Sequence, residues 1–338
     1  MKAIYAGSFD PFTLGHLEIL KKAQALFEEV IMLVGHDPNK KYLFSDYERA
    51  RLVEESTGAR TIILPEDEVT ALQARDLGVT HLVRGLRGHT DIDNEFVAAR
   101  MNREVGDGLE TVFFVPDVNV EELSSTVVRG LHGLRGWVDM VSTRVPPPVL
   151  RALKLADLKK RVDNDMIWSL VLSVEEKPYH NLEHSFDVAY DLIYDVAPVK
   201  RQSIAVAAAV HDLKATPAES IGVFGGMVRL AQKTQDMVMA TDHAQPYSED
   251  DLCRRFASAD LKVLARDRYS YVEYVKKLRS EYDVPEDEWN MGRRQFLEDM
   301  LGRDPLFPHP EYEGRYREFA RNNMGQELRE LKKNDHSE

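Results

Sequence analysis

The feature that most restricts the fold of this sequence is a change of hydrophobic period partway along it. From Ala3 to about residue 115, short apolar runs alternate with segments whose apolar residues recur every three to four positions. The runs Ala3-Ile4-Tyr5 and Val30-Ile31-Met32-Leu33-Val34 predict two strands, and further strands are expected over 61–64, 80–84 and 110–115. Between them helices are expected over 16–29, 46–57, 69–77 and 92–105. Strands joined through helices of this length run parallel, with helices on both faces, so a doubly wound α/β sheet is expected. The alternation stops near Trp137, and Val145-Pro146-Pro147-Pro148 reads as a stiff extended segment dividing residues 1–145 from residues 146–338. Beyond it the strand signals vanish. Helical periodicity covers 149–161, 163–175, 182–195, 200–213, 217–233, 249–265, 267–282, 287–302 and 311–332, which predicts an all-α domain.

Ligands of a doubly wound sheet gather at the carboxyl ends of its strands, and the residues expected there carry chemistry. The first strand runs into Gly7-Ser8-Phe9-Asp10-Pro11-Phe12-Thr13-Leu14-Gly15-His16, a tight turn leading into a helix. A helix start presents unpaired backbone N–H groups and the positive end of its dipole, so the turn suits a phosphate, with His16 beside it. Neither G-x-x-x-x-G-K-[ST] nor G-x-G-x-x-G occurs here. Asn39-Lys40-Lys41 follows the second strand, Arg84-Gly85-Leu86-Arg87 the fourth, and Leu123-Ser124-Ser125-Thr126 lies beyond the fifth. Taken singly, such glycines are ordinary turn residues and each basic pair a solvated face. Together they place cations and hydroxyls along one sheet edge.

Length and charge set the outer bounds. A chain of 338 residues is comfortable for two domains. Its net charge is −13, with 16 Lys and Arg against 23 Asp and Glu up to residue 148 and 28 against 34 beyond, so neither half is a basic module. This argues against non-specific nucleic-acid binding and leaves small anionic substrates. No apolar run approaches the roughly 20 residues of a membrane span, and the N-terminus reads as a strand with no signal peptide. The single cysteine, Cys253, permits no internal disulfide. A cytoplasmic protein without membrane partners is expected.

Thr13-Leu14-Gly15-His16 resembles the T/H-x-G-H signature of the nucleotidyltransferase superfamily, which implies a Rossmann-like fold. More narrowly, residues 1 to about 135 resemble phosphopantetheine adenylyltransferase. The resemblance rests on G-S-F-D-P-F-T-L-G-H-L (7–17), N-K-K-Y-L-F-S-D-Y-E-R (39–49), L-V-R-G-L-R (82–87), Glu95, M-N-R (101–103), V-F-F-V-P (112–116) and L-S-S-T-V-V-R (123–129). It implies attack by a phosphate of the acceptor on the α-phosphate of ATP, with pyrophosphate leaving and no covalent enzyme intermediate. It further implies that His16, Lys40 and Arg87 are catalytic. Nucleotide contacts would come from Ser8, Phe9, His16, Gly85, Leu86, Arg87, Glu95, Val120, Leu123, Ser124, Ser125 and Thr126. Acceptor contacts would come from Ser8, Lys40, Thr70, Arg84 and Asn102. Mg2+ would accompany ATP, and the family likeness suggests a homo-oligomer. The implied acceptor is 4′-phosphopantetheine, giving dephospho-CoA. Val69-Thr70 stands where the family has apolar residues against the acceptor's arm, Asn94 where it commonly has an aromatic residue beside the glutamate, and the insert Gly88-His89-Thr90-Asp91 is more polar than the family's; these departures keep nicotinamide mononucleotide as an alternative.

The second half contains three separated clusters: P-Y-H-N-L-E-H (178–184), the apolar helix end A-A-V-H-D (208–212), and Asp260 as the acid within F-A-S-A-D-L-K-V-L (256–264). Any one histidine here reads as a satisfied core or capping residue. A buried His-Asp pair must nonetheless be compensated, and imidazole with carboxylate suits a first-row divalent metal. The order H…HD…D resembles the HD phosphohydrolase superfamily, and residues 165–332 resemble an uncharacterised group of predicted metal-dependent HD proteins. The resemblance implies that His184, His211, Asp212 and Asp260 bind a divalent transition metal such as Mn2+, Fe2+ or Zn2+, which activates water against a phosphate ester. His180 and His243 are expected as second-metal ligands or proton donors, Asp187 as a residue orienting a ligand imidazole, and Arg293, Arg294 and Arg321 as phosphate grips. The expectation is a bifunctional enzyme. Its alternatives are a hydrolase regulated by a nucleotide-sensing first half, and a helical half that is only an oligomerisation scaffold.

Overall fold

The computed structural model describes residues 1–37, 40–86, 89–116, 124–162, 164–173, 177–225 and 229–334, without the side chains of 89–94 and 334. The chain forms two compact units, Met1–Leu153 and Lys154–Glu338. None of the described helices is long and apolar enough to cross a membrane.

The first unit alternates β1 (Lys2–Gly7), α1 (Leu14–Gln24), β2 (Glu29–Val34), α2 (Asp46–Thr57), β3 (Thr61–Ile63), α3 (Thr70–Asp76), β4 (His81–Gly85), α4 (His89–Val105) and β5 (Glu110–Phe114). Two short helices, α5 (Ser125–Leu131) and α6 (Trp137–Val141), follow, and α7 (Pro147–Arg161) begins near the unit's end. The five strands are parallel in the order β3-β2-β1-β4-β5. The chain leaves β1 toward β2 and β3 and then returns to β1's other side with β4. That reversal makes the sheet Rossmann-like and opens a crevice where β1 and β4 end, at Gly7 and Gly85. Ile4, Ile31, Leu33 and Leu82 form the core with Ala71 and Ala74 of α3, which explains the unbroken apolar runs of the central strands.

The turn after β1 is fixed from several sides. Phe9 has a left-handed φ of 47°, and its ring is buried in edge contacts with Tyr5, Phe12 and His16. A Cβ at Gly7 would come within 2.8 Å of that ring. Asp10 is fully buried, and its carboxylate accepts from the backbone N–H of Leu43 at 2.9 Å and of Phe44 at 3.1 Å. Arg49, also fully buried, donates to the carbonyls of Ser8 and Gly35 and to Asp46. The loops after β1 and β2 are therefore one hydrogen-bonded piece.

The second unit is helical: α8 (Asp165–Ser173), α9 (Leu182–Ile193), α10 (Pro198–Val210), α11 (Pro217–Gly222), α12 (Gln232–Met239), α13 (Asp251–Leu261), a 3-10 turn (Lys262–Ala265), α14 (Arg268–Arg279), α15 (Glu286–Leu301) and α16 (Pro310–Asn334). α9 packs against α10 and α13. The run Ile204–Val210 is buried throughout, so the residues at its end, His211 and Asp212, are delivered into the interior. Cys253 is buried, and burial together with Asp250 pushes its thiol up to about 11, as suits a structural cysteine.

Three expectations are corrected. Pro147 and Pro148 begin α7 and are not part of an extended spacer, because proline's fixed φ and missing N–H are tolerated in a first helical turn. The helix expected over 217–233 is two, α11 and α12, with Gly222 and Gly225 forming a turn at the break. α1 starts at Leu14, two residues before the expected start, because Thr13 caps it, and it ends at Gln24.

Arg49→Met is expected to destabilise the full chain by about 1–3 kcal/mol, since buried acceptors lose their donor. Urea unfolding followed by circular dichroism measures this, and an unchanged first transition would contradict it.

Candidate functional site

In the first unit, the carboxyl ends of β1 and β4 open a cavity of about 490 Å³. His16 lies in the first turn of α1 and is 8% exposed. The backbone N–H of Thr13 donates to its Nδ1 at 3.0 Å, so the ring proton sits on Nε2, and Phe12 stacks on the imidazole. The histidine is thus a fixed donor at a helix N-terminus. Lys40, Lys41, Arg84 and Arg129 also line the cavity, as do Ser8, Phe9, Thr70, Gly85, Glu95, Ser125 and Thr126. Lys40 lies 3.5 Å from Asp37. Ser125 donates to the Pro11 carbonyl at 2.8 Å and Arg129 to the Asp10 carbonyl, so α5 is tied to the turn after β1.

Arg84 and Glu95 meet each other. The guanidinium donates to both Glu95 oxygens, at 2.9 and 2.6 Å, and to the Ala6 carbonyl at 3.0 Å. Burial works against its charge, yet the Glu95 carboxylate holds its pKa above the usual arginine value. Leu86, Ser124 and Asn102 do not line the cavity: Leu86 N–H donates to the Phe114 carbonyl, Ser124 caps α5, and the Asn102 carbonyl accepts from Gly106. Arg87, Val120 and Leu123 lie outside the described residues, as do Gly88 and the side chains of His89, Thr90, Asp91 and Asn94.

In the second unit, α9, the end of α10 and α13 bring His184, His211, Asp212 and Asp260 together, with one ligand atom from each within 4.8 Å of the others. His184 Nε2 is 3.0 Å from Asp260 Oδ1 and 3.3 Å from Asp212 Oδ2, and His211 Nε2 is 3.0 Å from Asp212 Oδ2. His211 Nε2 and Asp212 Oδ2 are both buried without a hydrogen-bond partner despite that approach. Donor atoms crowded at bonding distance without bonding angles fit ligands of a shared cation. The set of two imidazoles and two carboxylates suits a first-row divalent ion.

The outer nitrogens of both imidazoles are anchored. His211 Nδ1 is 2.8 Å from the Ala208 carbonyl, and His184 Nδ1 is 3.2 Å from the Tyr179 hydroxyl. This directs each Nε2 to the cluster. Burial disfavours charge on His184 and His211, but Asp212 and Asp260 raise both imidazoles on balance. Burial alone would raise the two carboxyls, and the histidines hold them below the usual range. His243 Nε2 is 3.0 Å from Asp260 Oδ2. His180 is 2.6 Å from Glu281, which also accepts from the backbone N–H of Tyr179 and His180.

Four expected roles are corrected. Asp187 pairs with Lys154 at 2.7 Å and Arg266 at 2.8 Å, and the Tyr179 hydroxyl takes the place expected for it beside His184. Arg293 is buried in an ion pair with Glu327, which also accepts from Tyr271. Arg321 donates to the carbonyls of Leu301 and Arg303, and Arg294 to that of Asn290. These arginines stabilise the helical fold. Tyr179 and Glu281 were not foreseen; Tyr179 adjoins His180 in sequence, whereas nothing marks Glu281 about a hundred residues away.

Residues 4–131 match the family model described as cytidylyltransferase-like. The chain is 36% identical over 155 residues to the phosphopantetheine adenylyltransferase of Chromobacterium violaceum, covering 45% of this chain and 94% of that protein. It is 42% identical over 156 residues to the phosphopantetheine adenylyltransferase of Treponema pallidum strain Nichols, covering 46% and 96%. Against that of Haemophilus ducreyi it is 40% identical over 153 residues, covering 45% and 93%.

Purified wild type is expected to carry a divalent ion that Asp212→Asn loses, read by elemental analysis after gel filtration; equal metal content would contradict the cage. Because ligation needs both imidazoles deprotonated and the carboxylates raise their pKa, ion affinity should rise with pH, and a pH-independent affinity would contradict this. Glu327→Leu leaves Arg293 buried without its partner and is expected to cost about 3–5 kcal/mol in urea unfolding, with no loss of bound ion.

Proposed function

Through its N-terminal half the chain belongs to the phosphopantetheine adenylyltransferase family of cytidylyltransferase-like proteins, and from that premise we propose that this half joins ATP's adenylyl group to 4′-phosphopantetheine. The observation that carries this reading is His16, held as an Nε2–H donor at the start of α1 within a cavity ringed by Lys40, Lys41, Arg84 and Arg129. An acceptor phosphate oxygen forms a bond to the α-phosphorus. The bond from that phosphorus to the bridging oxygen breaks, and its electrons leave with pyrophosphate. Charge develops on the α-phosphate oxygens, where the His16 Nε2–H, the helix N-terminus and the cations stabilise it. Ser8 and Lys40 hold the acceptor phosphate, and Mg2+ arrives with the triphosphate. Thr70 on the cavity wall is the feature that keeps nicotinamide mononucleotide as a second acceptor to assay.

The second half is read as an HD-type metal-dependent phosphohydrolase. His184 Nε2, His211 Nε2, Asp212 Oδ2 and Asp260 Oδ1 would hold a divalent ion such as Mn2+, Fe2+ or Zn2+, and the buried, unpartnered donor atoms of His211 and Asp212 support this. When bound, such an ion supplies acidified water and a positive charge for the phosphoryl oxygens. Tyr179 and the Ala208 carbonyl keep the imidazoles aimed at the site, and His243, bonded to Asp260, stands at its edge. The chain would then be a bifunctional enzyme of small phosphate compounds.

His16→Ala should lower pyrophosphate release from ATP and 4′-phosphopantetheine about 10²–10³-fold and leave phosphatase activity intact. Asp212→Asn should do the reverse. Undiminished transfer by His16→Ala would sink the first assignment, and undiminished hydrolysis by Asp212→Asn the second.

A further inference from the structure

The imidazole–carboxylate cluster borders a cavity of about 460 Å³, similar in size to the cavity of the first unit but opposite in character. Asp260, His243 and His180 form its polar part beside the cluster, and Glu288 adds a carboxylate on α15. Tyr274, Tyr282, Trp289, Phe296, Leu264 and Leu278 supply much of the remaining wall. Among the described residues no lysine lines it, and the one arginine that does, Arg293, is committed to Glu327. The Arg293 guanidinium lies 4.9 Å from the Phe296 ring centroid and 5.5 Å from that of Tyr274, so it forms part of an aromatic wall.

The aromatic surface starts at the cluster itself. The Tyr179 ring is 4.7 Å from that of His184 and 4.6 Å from that of Tyr274. A sugar or polyol next to the reacting phosphate would press most of its hydroxyls against rings that offer few partners, and a second phosphate would meet the Glu288 carboxylate and, among the described residues, no available cation. A flat apolar group would instead bury its faces among the rings.

We propose that the second site takes phosphate monoesters whose organic group is a flat aromatic ring system close to the phosphate, seated among Tyr274, Tyr282, Trp289 and Phe296. The inference rests on the phosphohydrolase reading of the cluster. In the reaction a water oxygen bonds to phosphorus, and the bond from phosphorus to the ester oxygen breaks. The ester oxygen keeps the electron pair and takes a proton from the water, giving the ring-bearing alcohol and inorganic phosphate.

Gly292 provides the test. It lines the cavity from α15, and a Cβ built there meets nothing within 4 Å, so a larger side chain enters open space. The full chain with Mn2+ is assayed on 2-naphthylmethyl phosphate and glycerol 3-phosphate, both esters of primary alcohols with leaving oxygens of similar basicity. Wild type is expected to favour the naphthyl ester at least about tenfold in kcat/KM. Gly292→Leu should collapse the preference, and Gly292→Ala should retain it. Separately, 2-naphthylmethanol is titrated calorimetrically into the EDTA-treated full chain, where saturable binding lost in Gly292→Leu is expected. Hydrolysis of both esters without preference, insensitive to Gly292→Leu, would overturn the proposal and leave the phosphohydrolase reading standing. Hydrolysis of neither ester would overturn that reading, and the calorimetry then decides the cavity alone: saturable binding supports an aromatic site, and no binding overturns it.

Discussion

Two carboxylates and two imidazoles can share a buried space only if positive charge lies between them. In the helical unit that constraint falls on Asp212, Asp260, His184 and His211, which three separate helices carry to within ligand distance of one another. The four groups answer one another: the carboxylates raise the imidazoles and the imidazoles lower the carboxyls, each against the pull of burial. A divalent cation supplies the positive charge with fixed geometry. The anchors on the outer nitrogens, Tyr179 and the Ala208 carbonyl, leave the ring nitrogens that face the cluster as ligands.

The same constraint shapes the first unit with different parts. Asp10 is buried beneath the loop and is compensated by backbone N–H groups; Arg49 is buried and is compensated by carbonyls and Asp46. Between them they fix the turn that places His16 at a helix start. Binding an anion there requires little rearrangement, since the N–H groups and the Nε2–H are already held. One unit thus displays fixed positive charge toward a polar cavity, and the other gathers negative charge beside an aromatic one.

The parallel sheet was legible because strands buried on both faces leave unbroken apolar runs, as in Val30 to Val34. What escaped was local. α5 and α6 are too short to show a period, Pro147 looks like a spacer until it is seen to open a helix, and Gly222 with Gly225 breaks what composition alone joins. The cluster residues stood out for a related reason: His211-Asp212 at the end of an apolar helix and Asp260 within an apolar stretch are conspicuous by contrast with their neighbours. Their supports do not stand out. Arg293, Arg321 and Asp187 look like available charges until partners distant in sequence, such as Glu327, engage them. Glu281 reads as a solvated acid until it meets His180. A one-dimensional pattern shows what a residue can do, and the fold decides whether its charge is already taken.

The central claim is that the helical unit's four ligand atoms enclose a cation. The most direct test is anomalous X-ray diffraction from crystals of the full chain grown with Mn2+, recorded at the manganese edge. The account predicts a single strong peak in that unit, about 2.0–2.3 Å from His184 Nε2, His211 Nε2, Asp212 Oδ2 and Asp260 Oδ1. Clear density for these side chains with no peak among them, or with the peak elsewhere in the unit, would contradict it.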